Sequence, residues 1–263
     1  MISFIGNGNM GRAILGGILK NGLYQKNEIM VADCNRDGLQ KTAEEFGVSV
    51  TDKNPDAVKS ADILILAVKP QVLYQVITEI RDELSESCLI ISIAAGQSIE
   101  KIEKAFAHPI KLVRVMPNTP ALVGEAMSAL SPNGNVTPEE LSEAKNIFCG
   151  FGKAEIVPEH LMDAVTAVSG SSPAYVFMLI EAMADAAVAA GMPRAQSYTF
   201  AAQAVLGSAK MVLELGEHPG FLKDMVCSPA GTTIDAVRSL ENDGFRAAVM
   251  NAMDACVKRS QML

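Results

Sequence analysis

The sequence predicts an α/β domain built on a parallel sheet, followed by an all-α domain. Three features predict it. The first half alternates short apolar runs with helical patterns, the second half carries helical patterns alone, and the change of rhythm falls near Pro158. Strands that alternate with helices close into a parallel sheet covered on both faces. With 263 residues, 49% of them hydrophobic, the chain is long enough for two modest domains, expected at 1–158 and 159–263.

In order along the chain, Ile2 to Ile5 reads as a strand, followed by a glycine loop and a helix to about Lys20. Glu28 to Ala32 is the next strand and Leu39 to Phe46 the next helix. Ile63 to Val68 is a continuous apolar run, the pattern of a strand buried on both faces. Val72 to Leu84 and Ile99 to Phe106 read as helices, Cys88 to Ala94 and Lys111 to Met116 as strands. Late strands at Glu125 to Leu130 and Lys153 to Val157 flank a helix from Glu139 to Cys149. Beyond Pro158, helices are expected at Ser172 to Ala190, Arg194 to Leu215, Pro219 to Val226, Thr233 to Leu240 and Gly244 to Gln261. Gly191 and Pro193 stop the first of these.

Composition excludes several classes. The net charge is −8 and the 22 Lys and Arg form no stripe, which argues against nucleic acid as a partner. The five cysteines are odd in number, widely spaced and free of C-x-x-C, as in a reducing compartment. No basic leader precedes Ile2, so a cytoplasmic location is expected. The most apolar window, Ala174 to Met192, holds Glu181 and Asp185 at its centre. Acids there are costly in a bilayer, so a buried helix is expected and no membrane partner. Tyr198 to Leu215 carries few charges. A helix apolar nearly all round needs cover on most sides, and a second copy of the chain is the expected cover, as a dimer or a multiple of dimers.

Gly6-Asn7-Gly8-Asn9-Met10-Gly11 is a G-x-G-x-x-G directly after a strand and directly before a helix. That context predicts a Rossmann-type dinucleotide site: a turn at the first glycine, pyrophosphate approach at the second, helix–strand packing at the third. Asp33 ends the second strand, where an acid bonds the adenine ribose and favours NAD(H). Arg36, three residues on, suits a 2′-phosphate and favours NADP(H), and the sequence leaves the choice open. Lys69 closes the third strand; Ser92 to Gly96 and Val115 to Pro120 close the fourth and fifth. These strand ends line the ligand crevice of a doubly wound sheet, although Asn118 and Thr119 also suit a plain turn.

Near the other end, Cys227-Ser-Pro-Ala-Gly-Thr-Thr233 leads into a helix. Thr232 or Thr233 is placed to cap it, and a hydroxyl-rich helix start suits an anion. The three histidines, His108, His160 and His218, sit at no strand end, and no G-x-S-x-G or metal-spaced cluster is present. The chemistry is therefore expected to be the cofactor's, with the protein positioning the parts. Hydride addition to an imine fits, because its nitrogen arrives with its own proton.

With these residues in place, the chain resembles the Δ1-pyrroline-5-carboxylate reductases over essentially its whole length. The resemblance rests on Phe4 to Gly11, Leu66 to Pro70, Arg114 to Pro120, Asp163 to Tyr175 and, most specifically, Leu222 to Thr233. It implies a Rossmann domain followed by a helical domain that interlocks with a partner subunit, and reduction of pyrroline-5-carboxylate to L-proline by NAD(P)H. It also implies that Gly6 to Gly11 hold the pyrophosphate and that Asn54, Ala67, Val68, Lys69, Pro70, Ala94, Ala95 and Gly96 line the cofactor. Ser228 and the amides around Ala230, Gly231 and Thr232 would take the substrate carboxylate, and the Thr233 hydroxyl the ring nitrogen. The chain departs from the family pattern at Ser172 and Ala230, where glycine is usual, and at Asp33, where several relatives carry a small residue. Two rivals are a β-hydroxyacid dehydrogenase, disfavoured because Ser169 to Met178 lacks lysine, and a non-catalytic nucleotide sensor, which would have no need of the Ser228 to Thr233 loop.

Overall fold

Alternation builds the first unit, as the apolar runs require. In the computed structural model, which describes residues 1–262, its elements run β1 (Ile2–Ile5), α1 (Asn9–Lys20), β2 (Ile29–Ala32), α2 (Arg36–Phe46), β3 (Ser49–Thr51) and α3 (Asn54–Val58). They continue β4 (Ile63–Leu66), α4 (Pro70–Ile80), β5 (Leu89–Ser92), α5 (Ile99–Phe106), β6 (Lys111–Met116), β7 (Ala126–Pro132), α6 (Pro138–Cys149) and β8 (Gly152–Ile156). The strands form one 8-stranded sheet in the order β3-β2-β1-β4-β5-β6-β7-β8. Its first six strands follow the doubly wound order, which reverses between β1 and β4.

The apolar run of β4 explains the two cores. Ile63 and Ile65 pack on one face with Ile14, Leu15 and Ile18 of α1 and with Phe148 of α6. Leu64 and Leu66 pack on the other face with Leu73, Ile77 and Ile80 of α4 and with Ile102 and Phe106 of α5. Successive residues of a strand point to opposite faces, so a strand covered twice is apolar throughout. Each such Leu or Ile side chain contributes about 1.5–3 kcal/mol of burial.

Three departures from the sequence reading have local causes. The sheet is not wholly parallel: β7 pairs antiparallel with β6, then β8 pairs parallel with β7. The link from Met116 to Ala126 holds one short 3₁₀ segment, Thr119–Val123. A parallel return needs a crossover of about a dozen residues or more, usually helical, so the chain turns back instead. Strand β3 and helix α3 escaped the sequence reading, because three partly exposed residues show no period and α3 is one turn opened by Pro55. The strands β4 and β5 also stop at Leu66 and Ser92, which frees Ala67–Lys69 and Ala94–Gly96 as loops at the sheet edge.

A short helix α7 (Met162–Val165) runs on into a π turn over Thr166–Gly170. The first compact unit comprises Met1–Ser171 and the residues from Cys256 onward. Within it Ser260 Oγ donates to Asp163 Oδ1 at 2.6 Å and Cys256 lies 3.2 Å from Ser171 Oγ.

The second unit, Ser172–Ala255, holds α8 (Ser172–Ala189), α9 (Arg194–Leu215), α10 (Pro219–Val226), α11 (Thr232–Asn242) and most of α12 (Phe245–Ser260). Its apolar helices, expected to find cover in a second copy, are largely uncovered within a single subunit. Of α8 only Ala184 is buried, and of α9 only Ser197 and Ala201. Phe177 is 63% exposed, Met178 69% and Phe200 65%. The helices α8 and α9 pack on each other, but a single subunit holds too few partners to cover helices that are apolar on most faces. The segment Glu159–Ala189 is long and apolar enough to cross a membrane, with an 18-residue window of mean hydropathy 1.3. Its Asp185 pairs with Arg194 at 2.5 Å.

Candidate functional site

The glycine loop lies at the carboxyl end of β1, where the strand order reverses. Gly6 has φ +106°, and a Cβ there would sit 2.6 Å from the Ala67 carbonyl carbon. A Cβ on Gly11 would sit 2.6 Å from the Gly6 carbonyl oxygen. Around Gly8, by contrast, nothing lies within 4 Å of a Cβ. The outer glycines let β1, α1 and the β4 loop close together, and the middle one faces open space. Gly8 caps α1 without a side-chain acceptor, so the amides of Asn9, Met10 and Gly11 belong to the turn that a helix leaves unpaired. Such a turn attracts a phosphate.

Asn7 is turned inward. Its N–H donates to Asp33 Oδ2 at 2.7 Å, and its side-chain oxygen accepts from Thr42 Oγ1 at 2.9 Å. Thr42 in turn accepts from Arg12. Asp33 Oδ1 accepts the Asn35 N–H at 2.8 Å. The Asp33 carboxylate therefore ties the glycine loop to the turn before α2.

A cleft of about 880 Å³ opens beside this loop, and Gly6, Gly8, Asp33, Asn54, Ala67, Val68 and Lys69 all line it. These residues come from four separate stretches of sequence, and β1, β2, β4 and α3 carry them to one place. Asp52, Lys53 and Glu79 line the cleft as well and were not singled out in the sequence. Asp52 follows β3, the strand whose signal was too short to read. Asn54 Nδ2 donates to Glu79 Oε2 at 2.8 Å.

Arg36, Pro70, Ala94, Ala95, Gly96 and Asn118 are not among the residues that line this cleft. The Arg36 side chain is 82% exposed and pairs with Asp52 at 2.5 Å. Lys69 is the N-cap of α4 and Pro70 its first residue. Ala94 is buried in the core cluster that also holds Ile102 and Phe106 of α5, and Gly96 turns the chain with φ +71°. Asn118 is 9% exposed and its carboxamide is committed: Oδ1 accepts the Met127 N–H at 2.9 Å, and Nδ2 donates to the Ser169 carbonyl at 3.2 Å.

In the second unit, Cys227 ends α10 and the loop to α11 folds as a tight turn, with Gly231 N–H donating to the Ser228 carbonyl at 3.0 Å. Gly231 is the N-cap of α11, and neither threonine caps it. This corrects the capping expectation: Thr232 and Thr233 are the first two helical residues, one position too late for their hydroxyls to reach back. Among the described residues, α11 thus starts with no side-chain cap. Asp235, the acid of this first turn, is held by Arg238 at 3.1 Å. A Cβ on Gly231 would strike the Ser228 hydroxyl and sit 3.1 Å from the Ser228 carbonyl oxygen, so glycine is what allows the turn to close.

Ala230 has φ +56°, the left-handed region. That conformation costs a residue with a Cβ roughly 1–2 kcal/mol, against about 0.5–1 kcal/mol of chain entropy that glycine loses on folding. Ala230→Gly is therefore expected to stabilise the protein by about 0.5–1 kcal/mol. A thermal melt that shifts downward would show that Ala230 is unstrained.

A doubly wound sheet with a glycine-rich turn at its switch point, joined to a helical unit, defines a dinucleotide-binding oxidoreductase architecture. Comparison with known proteins places it more closely. Residues 159–263 match the family described as pyrroline-5-carboxylate reductase dimerisation, and residues 1–96 the family described as NADP oxidoreductase coenzyme F420-dependent. A pyrroline-5-carboxylate reductase of Escherichia coli (strain K12) is 53% identical over 262 residues, covering 100% of this chain and 97% of that protein. The structure of a pyrroline-5-carboxylate reductase from Coxiella burnetii superposes with a TM-score of 0.93 at 36% identity, covering 99% of this chain and 97% of that one. That of Plasmodium falciparum pyrroline carboxylate reductase with NADP bound gives 0.90 at 34% identity, with coverage of 99% and 97%. The chain belongs to the pyrroline-5-carboxylate reductase family.

Proposed function

We infer that this chain reduces L-1-pyrroline-5-carboxylate to L-proline by hydride transfer from NAD(P)H, the final step of proline biosynthesis. Identity of 53% to a pyrroline-5-carboxylate reductase across the full chain carries the inference. Mixing the protein with pyrroline-5-carboxylate and NADH or NADPH tests it through loss of nicotinamide absorbance. Oxidation of neither coenzyme sinks the reading and favours a nucleotide sensor.

The residues fit the coenzyme. Open space at Gly8, the uncapped start of α1 and the cleft beside Asp33 suit a dinucleotide with its pyrophosphate on the helix. Gly6 to Gly11, Asp33, Asn54 and Ala67 to Lys69 are assigned to holding it. Ala94 to Gly96 and Asn118 are assigned to the crevice wall, Asn118 by fixing the Met127 amide and the π turn. When bound, the coenzyme supplies the hydride.

The chain's own part in catalysis is positioning. Ser228 and the amides at the start of α11 are assigned to the substrate carboxylate, where the helix terminus favours negative charge. The Thr233 hydroxyl is assigned to the ring nitrogen. That nitrogen enters protonated. With the coenzyme bound, hydride addition at C5 would move the C=N π pair to nitrogen and give a neutral secondary amine. No side chain has to give or take a proton in the step, which agrees with a loop of hydroxyls and amides and no titrating group.

Residues 1–158 are assigned to coenzyme binding and 159–263 to substrate binding and self-association, as a dimer or a multiple of dimers. Exposed Phe177, Phe200 and Met250 support that assembly. Dilution below the dissociation constant is expected to lower specific activity in step with molecular mass. A stable, active monomer in sedimentation would end the idea. A cytoplasmic location is assigned on the five free thiols, with no disulfide among the described residues.

A further inference from the structure

The coenzyme cleft has a charge bias that bears on which nicotinamide it takes. Asp33, Asp52, Asp56 and Glu79 line it, against Lys53 and Lys69. Arg36, the residue whose position suits a 2′-phosphate, donates from Nε to Asp52 Oδ2 at 2.8 Å, so its charge is already matched. Lys59 lies 3.3 Å from Asp56. Glu79 accepts from two neutral carboxamides, Asn54 at 2.8 Å and Gln75 at 3.0 Å. Lys53 and Lys69 also line the cleft, and among the described residues neither forms an ion pair with Asp33 or Glu79.

Asp33 is also held in place. One carboxylate oxygen accepts the Asn7 N–H at 2.7 Å and the other the Asn35 N–H at 2.8 Å. A carboxylate offers about four acceptor positions, so two remain for further donors. At the end of the second strand of this fold, those donors are the 2′- and 3′-hydroxyls of the adenine ribose. A 2′-phosphate brings no hydroxyl there and adds about −1.5 to −2 charge against a carboxylate that two amides prevent from swinging away.

We propose that this chain selects NADH over NADPH, with Asp33 as the specificity-determining residue and the acids of the rim adding to the discrimination. The proposal rests on the coenzyme-binding reading above and narrows it. Like-charge juxtaposition of this kind is expected to weaken NADPH at least about tenfold relative to NADH.

Calorimetric titration of the intact protein tests this by binding, independently of turnover. NADH and NADPH are compared, then ADP-ribose and its 2′-phosphate, which probe the adenosine end alone. Both pairs are expected to favour the unphosphorylated member at least about tenfold, and the gap is expected to narrow with added salt. Asp33→Ser is expected to shrink the NADH preference roughly tenfold or more, mostly by gaining NADPH affinity. Asp33→Asn, which keeps the side-chain shape, guards against a loop that loosens in the serine variant, and is expected to move the same way. Equal binding of the two coenzymes, tighter NADPH, or a preference unmoved in both variants would overturn the proposal. Binding of neither coenzyme would remove the coenzyme reading itself. Tight, equal binding of both would remove only the selectivity.

Discussion

Gly8→Ala is expected to melt like the parent protein while binding NAD(P)H at least about tenfold more weakly. The methyl has room in the protein, since nothing lies within 4 Å and φ is −76°. A surface change of that kind alters stability by about 0.5 kcal/mol or less. The space it fills is the one assigned to the approach of the pyrophosphate to the start of α1. Gly6→Ala is the contrasting variant. Its Cβ would press on the Ala67 carbonyl, and φ +106° is a conformation that L residues rarely adopt. Overpacking and backbone strain together are expected to cost about 3 kcal/mol or more, lowering the melting temperature and coenzyme affinity at once. The pair separates binding from folding at neighbouring positions. A Gly8→Ala protein with parental coenzyme affinity would show that the pyrophosphate sits elsewhere.

Thr233→Ala carries the other large effect. The hydroxyl stands at the second residue of α11, held by a turn that Gly231 closes against Ser228. A hydrogen bond to a charged partner is worth about 1.5–3 kcal/mol, so kcat is expected to fall roughly tenfold to a hundredfold. Coenzyme affinity is expected to stay unchanged, because the threonine is assigned to the substrate and not to the coenzyme. Thr233→Ser, which keeps the oxygen, is expected to retain most of the rate. An alanine variant with parental kcat would remove Thr233 from the site, and a rate lost along with coenzyme affinity would mark a folding defect instead.

The sequence carried the architecture of the first unit because its signals are local. The unbroken apolar run at Ile63–Leu66 announces a strand with two cores, and the glycine spacing announces the switch point. It did not carry β3, α3 or the direction of β7. The first two are too short to repeat any pattern, and the third is set by the connection from Pro117 to Glu125, which is too short for a helical crossover and carries no periodic signal of its own. In the cleft, Gly6, Gly8 and Asp33 were legible from fixed offsets along one βαβ unit. Asp52 and Glu79 join them only through long-range folding, and no spacing links them to the glycine loop. The roles of Asn7 and Asp33 in bonding each other were likewise invisible, since 26 residues separate them. At the start of α11, residue type suggested a cap and backbone geometry decided against it.

The bare aromatic and methionine faces of α8, α9 and α12 have a consequence for how the protein comes into being. A newly made subunit leaves the ribosome with a sticky surface that its own chain cannot hide. Its lifetime as an orphan is then set by how soon it meets a sister copy, a race against chaperones, proteases and clumping that turns on expression level. Yield in a heterologous host should therefore rise more than proportionally with synthesis rate until pairing outruns loss.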